Sequence, residues 1–159
     1  MIKNLAITRR GLLAGAGGLA FAIPLRAAER MPKVAVTKDP SCGCCGGWVE
    51  HLKQAGFSVE VTGATDVNRA KIRLGVPQAL AACHTAEVDG YVIEGHVPAA
   101  AIKQLLAERP QAKGLAVPGM PVGSPGMEVE GSEPEIYAVI LFGLSGQRTF
   151  GRYRGATPI

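Results

Sequence analysis

KVAVTKDPSCGCCGGWVEHLKQAGFSVEV, running from Lys33 to Val61, decides the fold. Lys33 to Lys38 alternates with β-branched residues, the period of a half-buried strand. Asp39-Pro40-Ser41-Cys42-Gly43 is turn chemistry, because Asp bonds its own nearby backbone and Pro fixes φ. A helix is predicted from Cys44 to Ala55, where Trp48, Leu52 and Ala55 recur at helical spacing and Gly56 stands ready to cap the end. Phe57 to Val61 returns to strand periodicity. A strand, a crossover helix and a second strand in one sheet make a parallel pair.

Downstream, Asp66 can cap a short helix running through Leu74, with Gly75 as its end. Pro77 precedes two strands, Ala82 to Val88 and Tyr91 to Gly95, joined at Asp89-Gly90, a tight turn that makes them antiparallel. Pro98 opens a helix whose part from Ala101 to Glu108 carries Ile102, Leu105 and Leu106 on one face. The order β-α-β-α-β-β-α predicts an α/β domain, a thioredoxin-like mixed sheet flanked by helices. Gly114 to Gly126 (GLAVPGMPVGSPG) reads as a C-terminal Gly/Pro-rich loop. Ile136 to Phe142 reads as a strand and Thr149 to Tyr153 as its β-hairpin partner, after a turn at Ser145-Gly146-Gln147. The pattern leaves open whether this hairpin extends the main sheet.

Upstream of Lys33 the composition changes. Lys3, Arg9 and Arg10 precede an uncharged, largely apolar run from Gly11 to Ile23, then Pro24 and the small residues Ala27 and Ala28. This is signal-peptide layout. Residues 1–28 are therefore expected to be a leader and residues 29–159 the domain. The run is short for a bilayer core of about 30 Å, so no stable membrane insertion is expected once the leader is removed. Thr8-Arg9-Arg10-Gly11-Leu12-Leu13 resembles a twin-arginine signal, which would send the chain to the periplasm already folded. Four of the 17 basic residues, Lys3, Arg9, Arg10 and Arg26, fall in the leader and none of the 13 acidic ones does, so the domain keeps 13 of each sign. That balance gives no support to a nucleic-acid partner, which needs a clustered positive surface.

The domain holds all four cysteines of the chain. Cys42, Cys44 and Cys45 are clustered, and Cys83 is followed directly by His84. With one cysteine elsewhere, the three cannot all be bridged to distant partners: either one pair is local or the cluster holds a metal. Cys42 and Cys45 form a C-x-x-C pair at a helix start, a place that favours thiolate, the form that both attacks disulfides and binds metal. In a thioredoxin-like fold the segment after the proline that leads into the third strand lies close to that helix. Pro77 puts Cys83 and His84 in such a segment. Thiolates with an imidazole select Cu(I), with zinc and iron–sulfur centres as competitors. The bland alternative is one stabilising disulfide with buried thiols. Gly46-Gly47 weighs against it, because two glycines in a first turn cost helix stability and suggest that bare backbone is wanted there.

Met120 and Met127 sit in near-duplicate Pro-Gly-Met settings off any helical or strand period. They are candidate thioether ligands, or else gap fillers in the core. His96 can reach the cluster or cap the helix at Pro98. His51 is expected to be a solvated surface residue and Asp39 a turn residue, while Lys38 lies close enough to tune the cluster. No phosphate loop and no G-x-S-x-G elbow is present. A thiol–disulfide oxidoreductase using Cys42 and Cys45 is the second reading. It needs two thiols only and leaves Cys44 and Cys83-His84 without a purpose.

The stretches KDPSCGCCGGWVEHL (38–52), LAACHTAEVDGYVIEGHVPA (80–99) and LAVPGMPVGSPGME (115–128) resemble the CopG-type periplasmic copper resistance proteins. The likeness covers Lys33 to Tyr153, with three motifs in the right order. It implies a thioredoxin-like fold and copper held at the cysteine-rich site, with Cys42 and Cys45 matching the family's C-x-x-C pair. Cys44, Cys83 and His84 fall within its motifs. It also implies exchange between a copper-loaded thiolate state and an oxidised disulfide state. Copper ions, as a single Cu(I) or several bridged by cysteine sulfur, and other periplasmic copper-handling proteins are the partners expected.

Overall fold

The computed structural model describes residues 31–159, so the expected leader lies outside the described residues. Strand β1 (Val34–Lys38) is followed by helix α1 (Gly43–Gln54), β2 (Val59–Gly63), α2 (Val67–Leu74), a 3-10 turn (Gln78–Leu80), β3 (His84–Val88), β4 (Tyr91–Glu94) and α3 (Ala99–Glu108). Then come β5 (Gly114–Ala116), β6 (Ile136–Gly143), β7 (Gly146–Arg154) and β8 (Thr157–Pro158). All eight strands lie in one sheet, in the order β2-β1-β3-β4-β5-β6-β7-β8. The pairs β1–β2 and β4–β5 are parallel and the others antiparallel. The expected mixed sheet with flanking helices is the observed fold.

Local chemistry explains where elements begin and end. Asp66 accepts a hydrogen bond from Arg69 N–H and caps α2, as its sequence position implies. β2 starts two residues later than the pattern suggests, because Phe57 N–H bonds to Leu52 C=O and its ring turns into the core. β3 starts at His84 rather than Ala82, since Ala82 N–H goes to a side chain instead of the ladder. The Gly/Pro-rich stretch opens with a strand rather than a loop: β5 is fully buried and pairs parallel to β4, making β4-α3-β5 a second crossover unit. Through β5 the β6–β7 hairpin does extend the main sheet, and β8 adds a short edge.

The sheet has two apolar faces. Trp48, Val49 and Leu52 of α1 and Ile102 and Leu105 of α3 cover Val34, Val36, Ala86, Val88, Tyr91 and Ile93. Leu74 of α2 and Leu80 pack on Val92, Ala116 and Phe142 on the other side. Successive residues of β4 thus serve opposite faces, as strand geometry requires.

Strand register decides which chain segments emerge together. Lys38 pairs with His84, Thr85 with Glu94, and Glu94 with Ala116. The end of β1, the start of β3 and the ends of β4 and β5 therefore share one edge of the sheet. Four chain segments leave from that edge: Asp39–Cys45, Ala82–Cys83, Gly95–Val97 and the loop from Val117 onward.

Candidate metal centre

Each segment reaches the centre by a traceable local device. After β1, Lys38 Nζ donates to the carbonyls of Asp39 (2.8 Å) and Pro40 (3.4 Å). Asp39 accepts from Ser41 N–H and Oγ–H, the turn role expected of it. The chain then enters α1 with Cys42 as N-cap and Cys44 and Cys45 in the first turn. Cys42 and Cys45 are joined in a disulfide, and Cys44 and Cys83 are free thiols. Cys44 Sγ lies 3.5 Å from Cys42 Sγ.

Opposite, Cys83 ends the lead-in to β3. Its sulfur lies 3.3 Å from His84 Nδ1 and 3.0 Å from His96 Nε2. Cys42, Cys44, Cys45 and Cys83 bring one donor atom each within 4.8 Å of one another, and so do Cys83, His84 and His96. Cys83 belongs to both groups. The six residues that the sequence nominated from α1, the β3 lead-in and the β4 exit are thus brought together.

His84 and His96 are fully buried. The His84 ring packs on Trp48 (centroids 4.4 Å) and edge-on to His96 (5.0 Å). Burial first, then the neighbouring His96, pushes the His84 pKa down to about 3. Burial also lowers that of His96. Both rings are therefore neutral near pH 7. His96 Nδ1 lies 2.8 Å from the Pro125 carbonyl, which can only accept, so Nδ1 carries the proton and Nε2 the lone pair. The Cys83 S–H accordingly donates to His96 Nε2. Burial, followed by the nearby Cys44 thiol, pushes the Cys83 pKa up to about 12. His84 Nε2 is buried with no hydrogen-bond partner among the described residues. A protonated thiol held between imidazoles, beside an unsatisfied ring nitrogen, is a donor set that suits a soft metal able to displace the thiol proton.

The loop closes the centre from outside. Gly126 packs on the first turns of α1, where a Cβ on Gly47 would lie 2.9 Å from Gly126 Cα and one on Gly126 would lie 2.5 Å from Cys44 O. The bare backbone inferred from Gly46-Gly47 is required at Gly47. Among the described residues, nothing lies within 4 Å of a Cβ on Gly46. Met127, next to this contact, is half-buried, whereas Met120 is 54 % exposed and so does not fill a core gap. His51 departs from its expected surface role: its Nε2 accepts the Ala99 N–H (3.0 Å) and caps α3. The sequence had offered that task to His96, which instead serves the centre. Trp48 Nε1–H donates to Val97 C=O (2.8 Å) and so ties the His96 segment to α1. No sequence signal pointed to Lys71 and Glu94, a buried ion pair beside the Cys83 segment.

Fold and site together define an α/β protein with a cysteine–histidine metal-binding cluster at one sheet edge. Residues 80–127 match the family described as "protein of unknown function, DUF411". No curated protein matches the chain. Two solved structures of copper resistance protein CopG are similar to it, each at 44 % identity and TM-score 0.72. Form 2 aligns over 77 % of this chain and 98 % of its own, form 1 over 79 % and 99 %. The chain belongs to the CopG family of copper resistance proteins.

Proposed function

We propose that this protein takes copper as cargo, as Cu(I), at the cluster formed by Cys42, Cys44, Cys45, Cys83, His84 and His96. The observation that carries the reading is the position of Cys83 Sγ, within 4.8 Å of donor atoms from both the three sulfurs at the start of α1 and the two imidazoles. Thiolates and neutral imidazoles prefer soft copper, and two similar structures carry the name copper resistance protein. Met127, beside the loop contact, and Met120, in its exposed turn, are auxiliary thioether donors. Loading all four sulfurs requires the Cys42–Cys45 bond to be reduced. An external thiol reductant supplies two electrons and two protons, and two thiols form. The oxidised form offers Cys44 and Cys83 with the imidazoles and the reduced form offers four sulfurs, so the bond state sets capacity, including room for several coppers bridged by sulfur. The leader supports export to the periplasm by the twin-arginine route, where other copper-handling proteins are the natural exchange partners.

The test is an anaerobic Cu(I) titration of the reduced protein against a chromophoric chelator. At least one copper per chain is expected, with affinity weakened more than about tenfold, or 1.4 kcal/mol, by Cys83→Ser. Absence of copper binding, together with rapid exchange of the Cys42–Cys45 bond with a dithiol, would replace this reading with that of a thiol–disulfide oxidoreductase.

A further inference from the structure

Glu94 and Lys71 form a buried pair outside the donor set. Their side chains are 0 % and 5 % exposed, and Lys71 Nζ donates to Glu94 Oε1 at 2.6 Å. A buried pair is weak ground for stability, because apolar residues of similar volume usually do as well. Here the arrangement also leaves Glu94 Oε2 and the facing Thr85 Oγ1 buried without partners among the described residues, which adds to the cost of folding.

What the pair achieves is local. The ladder between β3 and β4 ends with Gly95 N–H on His84 C=O. Ala82, just beyond, has no strand partner, and its N–H donates to Glu94 Oε1 at 2.6 Å. The carboxylate thus continues the pairing by one step, where Cys83 must be placed. From Glu94 the chain turns at Gly95, whose φ is +72° and where a Cβ would lie 2.6 Å from Ala82 Cβ, and delivers His96 to Cys83. Glu94-Gly95-His96 and Ala82-Cys83-His84 are two triplets locked face to face, by the Glu94 carboxylate on Ala82 N–H at one end and by Cys83 Sγ on His96 Nε2 at the other.

We infer that Glu94, held by Lys71, is a positioning residue of the metal centre: it anchors the Ala82 N–H and thereby fixes Cys83 against His96. The consequence for copper rests on the Cu(I) cargo reading. The anchoring itself is read on metal-free protein.

Two matched variants test it. K71M/E94Q keeps an oxygen acceptor for Ala82 N–H, and K71M/E94L removes it. Neither leaves a buried charge. With the Cys42–Cys45 bond intact, the alkylation rates of Cys83 and Cys44 are compared by mass spectrometry, and the His96 ring nitrogens are followed by NMR. K71M/E94Q should keep the Cys83:Cys44 ratio of the parent. K71M/E94L should raise it by about tenfold, the effect of one hydrogen bond, and shift the His96 signals. A merely structural role would move unfolding midpoints but not this ratio, so variants that behave alike overturn the inference. Should K71M/E94L fail to fold, exchanging the Ala82 amide for an ester deletes the donor alone, with the same tenfold rise expected and its absence decisive against the anchor. Copper affinity should fall in K71M/E94L and not in K71M/E94Q. A parent that binds no copper sinks the copper reading and leaves the anchor to the metal-free result.

Discussion

The contrast between Gly46 and Gly47 is open to measurement. Alanine in place of glycine inside a helix gains about 0.5–1 kcal/mol. At Gly46 the new methyl meets nothing within 4 Å among the described residues, so Gly46→Ala should stabilise by about that amount. At Gly47 the methyl would stand 2.9 Å from Gly126 Cα. That neighbour is backbone, in a glycine already so close to α1 that a Cβ of its own would lie 2.5 Å from Cys44 O and from Trp48 N. Overpacking of this kind costs about 1–3 kcal/mol, which exceeds the helix gain. Gly47→Ala should therefore lose about 1 kcal/mol, and the two variants should differ by about 2 kcal/mol. Urea unfolding followed by Trp48, the single tryptophan, separates them by about 1 M in midpoint at an ordinary m-value. If Gly47→Ala proves as stable as Gly46→Ala, the loop does not rest on α1, and its role in closing the centre fails with it.

Two further outcomes are set by the buried groups. His84 has an ordinary pKa of 6.5 unfolded and about 3 folded, so the unfolded chain binds the extra proton. Stability should be full above pH 6.5 and fall as the pH drops toward 3, by at most about 1.4 kcal/mol per pH unit from this group. His84→Gln should flatten that slope in calorimetric scans, and an unchanged slope would show that His84 is not what titrates. Trp48→Phe leaves the Val97 carbonyl unpaired and thins the packing on His84. It should cost about 1–3 kcal/mol by circular dichroism and displace the His96 ring signals; a loss below about 0.5 kcal/mol would deny Trp48 its tie.

Much of the fold was legible because its cues are local. Asp66 and Gly75 frame α2, and Asp89-Gly90 makes the β3–β4 turn, by interactions within a few residues. β5 was not legible. Three residues cannot display a period, and these three open a run dominated by glycine and proline. That one omission carried a second with it: without β5 there was no strand for the hairpin to join, so its place in the sheet could not be read. The histidines show the same limit. His51 and His96 both end near Pro98, but the N–H that His51 caps is 48 residues away. Capping was assigned by proximity in sequence, whereas the fold assigned it by proximity in space.

The centre itself was legible for a different reason. Its donors are scattered over more than fifty positions from Cys42 to His96, too far apart for any motif to hold them. They meet because the sheet alternates direction: β1 ends where β3 begins, and β3 begins where β4 ends. The sequence did not give that strand order; the thioredoxin-like pattern alone, which sets the segment leading into the third strand beside the C-x-x-C helix, brought Cys83 and His84 to Cys42, Cys44 and Cys45, whatever the exact strand boundaries. Errors of two residues at β2 and β3 were therefore harmless to the site, although a wrong direction for β3 would have been fatal to it. What that pattern could not supply is the final placement within the edge. That falls to contacts with no sequence signature, namely Gly126 on Gly47, Trp48 on Val97, and Glu94 on Ala82. The direction of the strands collects the sulfurs and imidazoles, and these three contacts set the distances at which they can share a metal.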